Sequence, residues 1–118
     1  MKTIIYLFFL YLIGACTGLS AQTNYFVSSK GSDKNNGSFK SPFRTIEKAQ
    51  QKAREVNGEA IIILRGGEYR LTKPLLFTSQ DGNENKRLTL RSYSNERVVI
   101  SGGILLNPEW KPYRDGIM

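Results

Sequence analysis

At 118 residues the chain has room for one ordinary domain, and its single cysteine, Cys16, has no partner for an intrachain disulfide. It contains no histidine, which within this chain removes His-dependent triads, most zinc sites and the usual neutral-pH proton shuttle. The net charge is +7, but apart from Lys2 the cations are spread from Lys30 to Arg114 among acids and form no basic block, so a nucleic-acid partner is not indicated.

The first segment reads as an export signal, residues 1–21. Lys2 supplies a short positive start, and Ile4 to Ile13 is an apolar run. About ten residues span only ~15 Å as a helix, against roughly 30 Å for a hydrocarbon core, so no transmembrane helix is expected. Two processing sites follow. Cleavage after Ala21 is favoured, because Thr17 to Ala21 forms a short polar region beyond the apolar run. The rival is a lipid anchor at Cys16, since Ile13-Gly14-Ala15-Cys16 resembles a lipobox, although lipoboxes usually carry leucine where Ile13 stands. Either route predicts an exported chain: periplasmic, extracellular or on the outer-membrane surface. A mature chain without Lys2 holds 16 basic residues against 10 acidic ones, a net charge of +6. A solvated basic surface is the default meaning; attraction to an anionic polysaccharide such as a uronic-acid polymer is the alternative.

Residues 22–59 read as an opening strand, a polar loop and a helix. Tyr25-Phe26-Val27 is the short strand, and Ser28 to Ser41 is a loop rich in Gly, Asn and Ser. Ile46, Ala49, Ala53 and Val56 then recur at helical spacing between polar residues, which predicts an amphipathic helix over Ile46–Val56. Thr45 is the expected N-cap and Asn57-Gly58 the C-terminal stop. From residue 60 to 118 the period shortens. Ala60–Leu64, Leu75–Phe77, Leu88–Leu90 and Val98–Ile100 are expected strands, separated by Gly66-Gly67, Asp81-Gly82-Asn83 and Ser94-Asn95. No two-residue NG or DG link joins adjacent strands, so tight hairpins are not expected and a sheet built by winding is.

Four patterns occur in a particular order: Tyr25-Phe26-Val27-Ser28-Ser29 running into Gly31-Ser32-Asp33-Lys34-Asn35-Asn36-Gly37-Ser38; Ser41-Pro42-Phe43-Arg44-Thr45-Ile46 with Ala49 and Ala53; Ile61 to Leu64 followed by Arg65-Gly66-Gly67-Glu68-Tyr69; and Val98-Val99-Ile100-Ser101-Gly102-Gly103. Together they resemble the opening segment of pectate-lyase-like, right-handed parallel β-helix proteins, many of them secreted glycoside hydrolases and polysaccharide lyases. The resemblance implies a mainly β fold whose first coils are closed by a capping helix, a polysaccharide or glycan partner, and catalytic coils beyond Met118. It admits calcium in the full-length protein, and it leaves a non-catalytic surface or glycan-binding β-helix as the alternative. Within it, Gly66-Gly67 would turn at positive φ and Tyr69 would fold back over the coil.

Candidate sites are few. Asp33-Lys34-Asn35-Asn36-Gly37-Ser38 has the oxygen spacing of half a calcium loop but lacks the later bidentate acid, so a turn held by Asx-type hydrogen bonds is expected and no metal site. Trp110 and Tyr113 are the candidate substrate-binding residues, as aromatic faces suited to sugar stacking or to packing on the coil edge. Glycoside hydrolysis needs two carboxylates across the scissile bond, and the ten acids show no pairing motif. Arg65, Arg70 and Arg91 could face a groove, with surface solvation as the default.

Overall fold

The structure is a computed structural model and describes residues 21–111. Among them are five strands and one helix: β1 (Thr23–Val27), α1 (Ile46–Arg54), β2 (Glu59–Leu64), β3 (Gly67–Arg70), β4 (Arg87–Ser92) and β5 (Val98–Ser101). They form two small parallel sheets, one in the order β1-β2-β4 and the other pairing β3 with β5. Over the described residues the fold is thus mainly β with one helix, and its ladders contain no hairpin.

The two sheets are visited in turn. From β2 the chain crosses to β3 through Arg65-Gly66, returns to the first sheet as β4, and crosses again to β5. Glu59 of β2 is the register partner of Arg87 in β4, 28 positions on, and Gly67 of β3 is the partner of Val98 in β5, 31 positions on. One circuit therefore takes about 30 residues. At the first corner Gly67 adopts φ +145°, a conformation that a side chain would strain. Ser94 stands at φ +48° in the second corner, where Glu96 N–H donates to the Tyr93 carbonyl at 3.0 Å.

β2 explains its own sequence. It is paired on both sides and buried on both faces, so it reads as the continuous apolar run Ala60 to Leu64 rather than an alternating one. Ala60, Ile62 and Leu64 face a core with Val27, Phe43, Ile46, Ala49, Ala53 and Tyr69. Ala49, Ala53 and Ala60 are small enough to let α1 lie close against the sheet, where it packs on β1 and β2. Burying Ile62 alone stabilises the fold by about 1.5–3 kcal/mol. The Tyr69 hydroxyl reaches back across the core to the carbonyls of Val27 (3.0 Å) and Arg65 (2.7 Å), so the buried ring has its polar end bonded to the backbone.

The helix begins where expected: Thr45 Oγ1 accepts from Lys48 N–H at 3.3 Å. It ends two residues early, because the N–H groups of Glu55 and Val56 donate to Lys52 and Ala53 carbonyls, tightening the last turn, and Gly58 then turns at φ +108°. Two expectations fail. Leu75–Phe77 is not a strand: Pro74 removes a backbone donor just before it, and the Leu76 carbonyl accepts from Gln50 Nε2 (2.9 Å) and Arg54 Nη2 (3.1 Å) instead of from a neighbouring strand. Conversely, Gly67–Arg70 is a strand that the glycine pair disguised as a turn.

The long connection between β3 and β4 is held by Asp81, which is only 4% exposed. Its carboxylate accepts from Arg54 Nε (2.8 Å) and Nη2 (3.0 Å), from Gln50 Nε2 (3.0 Å) and from Thr78 N–H (2.8 Å). Lys86 Nζ adds a hydrogen bond to the Arg54 carbonyl near the end of α1. The polar face of the helix is thereby tied to the loop.

Candidate functional site

Strand alternation sends Asn24 and Phe26 of β1, Ile61 and Ile63 of β2, and Thr89 and Arg91 of β4 to the face opposite the core. The rows are in register, so Phe26, Ile63 and Arg91 lie side by side across the sheet. At the corner beyond them the loop residue Phe39 meets Phe26 edge-on at 5.3 Å between ring centres and Tyr93 at 5.5 Å, with Phe26 and Tyr93 6.2 Å apart. The Arg65 guanidinium carbon lies 4.9 Å from the ring centres of both Phe39 and Tyr93. This is cation–π geometry.

Glu96 holds that arginine in place. Its oxygens accept from Arg65 Nε at 3.0 and 3.2 Å and from Nη2 at 2.9 Å, and from Gly66 N–H. The Arg65 hydrogen bonds, then the Gly66 N–H, lower the Glu96 pKa, and the Glu96 side chain raises that of Arg65. Both stay ionised. The result is an aromatic patch braced by an ion pair, with Phe39 47% exposed at its rim and the exposed Arg91 in the same row as Phe26. Flat exposed rings can stack on an apolar ring face, and Arg91 can donate hydrogen bonds to oxygen.

A second feature is a cleft of about 310 Å³ beside the start of α1, lined by Ser29, Arg44, Thr45, Glu47, Glu68, Tyr69 and Arg70 among others. It brings two carboxylates and two arginines to one place, but Glu68 already pairs with Arg70 at 3.2 Å. Among the described residues the three carboxyl groups whose acidity is clearly moved, Asp33, Asp81 and Glu96, are all moved downward. A general acid needs the opposite direction.

The Asp33 loop is a hydrogen-bonded turn. Asp33 is partly raised by burial but lowered on balance by the N–H and hydroxyl of Thr45, the N–H of Arg44 and the charge of Lys48. It accepts from Arg44 N–H (3.0 Å), Thr45 N–H (2.9 Å) and Thr45 Oγ1 (2.9 Å), while Asn36 Oδ1 accepts from Ser38 N–H at 3.1 Å. The loop oxygens thus serve the start of α1. Of the arginines, Arg65 belongs to the aromatic patch, Arg70 pairs with Glu68, and Arg91 stands on the open face. Trp110 lies 72% exposed in the irregular stretch after β5; Tyr113, Cys16 and the apolar leader lie outside the described residues. Among the described residues no helix is long and apolar enough to cross a membrane, and no three His, Cys, Asp or Glu side chains cluster as metal ligands. The patch itself escaped sequence reading, because Phe39 is a lone aromatic in a polar loop and Tyr93 and Glu96 flank a turn. The one signal was Arg65, placed directly after a buried strand.

No protein-family model matches the chain. An uncharacterised protein of Bacillus subtilis (strain 168), YwoF, is 38% identical over 86 residues, which are 73% of this chain and 17% of that protein. A solved glycoside hydrolase superposes with a TM-score of 0.67 at 31% identity over 77% of this chain and 17% of its own. A complex of XylC with xylose, also 31% identical, covers 64% of this chain and 11% of its own, with a TM-score of 0.44. The chain therefore spans about a sixth of the length of the relative and of the better-matched structure, and over that part it has a glycoside-hydrolase-like fold.

Proposed function

We propose that this chain is the capped beginning of a right-handed parallel β-helix in an exported carbohydrate-active protein, a glycoside hydrolase acting on a complex polysaccharide, with its catalytic carboxylates on further coils. The observation that carries the reading is the winding: parallel strands return to the same two sheets after 28 and 31 residues, in a chain whose fold matches a solved glycoside hydrolase. Right-handedness follows from the strong preference of parallel crossovers for that hand. α1 would be the cap, since it packs on β1 and β2 at one end of the stack. The patch of Phe26, Phe39 and Tyr93 would stack on a sugar ring of the polysaccharide, with Arg91 toward its oxygens. Trp110 and Tyr113 are the second aromatic pair that the reading assigns to glycan contact.

The experiment is to incubate the full-length exported protein with a panel of plant and bacterial polysaccharides. New reducing ends without unsaturated sugars support a hydrolase. Unsaturated uronate ends identify a polysaccharide lyase, and glycan binding without product identifies a non-catalytic module. Phe39→Ala is expected to weaken glycan binding about fivefold, from about 1 kcal/mol of stacking. Unchanged binding across the panel removes the patch from the reading.

A further inference from the structure

Ala21 and Gln22, the first described residues, are exposed and belong to no element; β1 starts at the next residue, Thr23, the register partner of Ala60. Resting on the export reading, in which processing cuts the bond between Ala21 and Gln22, we propose that Gln22 becomes the mature N-terminus and cyclises to pyroglutamate. The position decides the chemistry, because an end at Ala21 or Thr23 has no side-chain amide to close on.

The step needs no reagent beyond the residue. The lone pair of the Gln22 α-nitrogen attacks the side-chain carbon Cδ, forming the N–Cδ bond of a lactam. The Cδ–Nε2 bond breaks, and Nε2 leaves as ammonia with the proton released by the α-nitrogen. An α-amine titrates at roughly 7.7–8.0, so a useful fraction is neutral and nucleophilic near neutral pH. Because Gln22 lies outside the ladder and in solvent, its side chain is free to bend back onto its own nitrogen without disturbing the pairing of Thr23.

The closed ring has a structural use. β1 is five residues long, runs directly from Gln22, and ends at Val27, which is fully buried. An aminopeptidase that removed Gln22 would next remove Thr23 and begin to unpair β1 from β2. A lactam end carries no free amine for such an enzyme to bind, and it places no ammonium charge at the strand's start.

The test is tandem mass spectrometry of the N-terminal peptide from the mature full-length protein recovered from the exported fraction of its host. The expected peptide starts at residue 22, is lighter than the linear form by one ammonia, and resists Edman degradation until treated with pyroglutamyl peptidase. Gln22→Ser should leave an open amine and lose N-terminal residues to aminopeptidase while the wild type does not. A linear Gln22 with an intact amide overturns the cyclisation and leaves the cleavage reading standing. An acylated Cys16 overturns the cleavage reading and the cyclisation together.

Discussion

Replacing Asp81 by asparagine tests whether α1 is clamped to the long loop by charge. The Arg54 side chain is the main cause that holds the Asp81 carboxyl down, from an ordinary 3.8 to about 2; Thr78 N–H and Gln50 assist, and burial opposes them. At about 1.4 kcal/mol per pH unit, that displacement corresponds to about 2 kcal/mol of folding free energy. Because the folded-state pKa lies below the unfolded one, this contribution is complete above pH 3.8 and is lost as the pH falls from 3.8 to 2. Asp81→Asn lacks the titration and leaves Arg54 facing a neutral amide. The wild type should therefore exceed the variant by about 2 kcal/mol at pH 6, with the gap closing by pH 2. Asp33 and Glu96, also lowered, titrate in both proteins and cancel in the difference. Urea unfolding followed by far-UV circular dichroism measures it, since Trp110 is too exposed for its emission to report on the core. A gap that stays constant from pH 6 to pH 2 refutes the charge clamp.

Gly37 turns at φ +80° and an added Cβ would sit 2.3 Å from the buried Phe43 ring, so Gly37→Ala should cost more than about 2 kcal/mol in urea unfolding. Gly102→Ala, with nothing within 4 Å, should change stability by less than about 0.5 kcal/mol. Tyr69→Phe strips the hydroxyl donor from the Val27 and Arg65 carbonyls and should cost about 1–2 kcal/mol by the same measurement. Glu96→Gln should loosen Arg65 from Phe39 and Tyr93, seen as faster exchange of the Arg65 side-chain N–H by NMR; unchanged exchange would mean the rings alone hold it.

Sequence made the buried framework legible wherever one periodicity ruled. Ala60 to Leu64 read as a strand, and Ile46, Ala49 and Ala53 as one helical face; the structure adds that this strand is buried on both faces. Gly67 and Gly58 took the positive φ that their positions suggested. What stayed hidden depends on long-range partners. Leu75 to Phe77 has a strand's composition, yet Gln50 and Arg54 claim the Leu76 carbonyl from a distance in sequence of more than 20 residues. Asp81 looked like one member of an Asp-Gly-Asn turn until α1 supplied its partners. The aromatic patch draws Phe26, Phe39, Arg65, Tyr93 and Glu96 from three corners of the chain, and no local spacing links them.

The two ends of the stack are built differently, and the difference bears on what the fold is for. At the β1 end the outer edge is occupied: Phe26 N–H donates to the Gly37 carbonyl at 2.7 Å, Phe43 N–H to the Phe26 carbonyl at 2.9 Å and Ser28 N–H to the Phe43 carbonyl at 2.8 Å. The loop thus pairs with the C-terminal part of β1, where another strand could otherwise add, and α1 covers the apolar side chains behind it. At the other end, the outer edges of β4 and β5 carry no further strand among the described residues. Leu88, Leu90 and Val98 are only partly buried against the core, and Ile100 is 44% exposed although its register partner Tyr69 is buried. Three of them lie directly over buried residues: Leu88 over Ala60, Leu90 over Ile62 and Ile100 over Tyr69. A stack in which each circuit buries the one before it gains stability by adding circuits. The first sheet is therefore covered beside β1 and open beside β4, with partly buried apolar side chains at the open edge. On this geometry α1 and the Phe43 loop close the β1 side, and β4 and β5 take their register from β2 and β3.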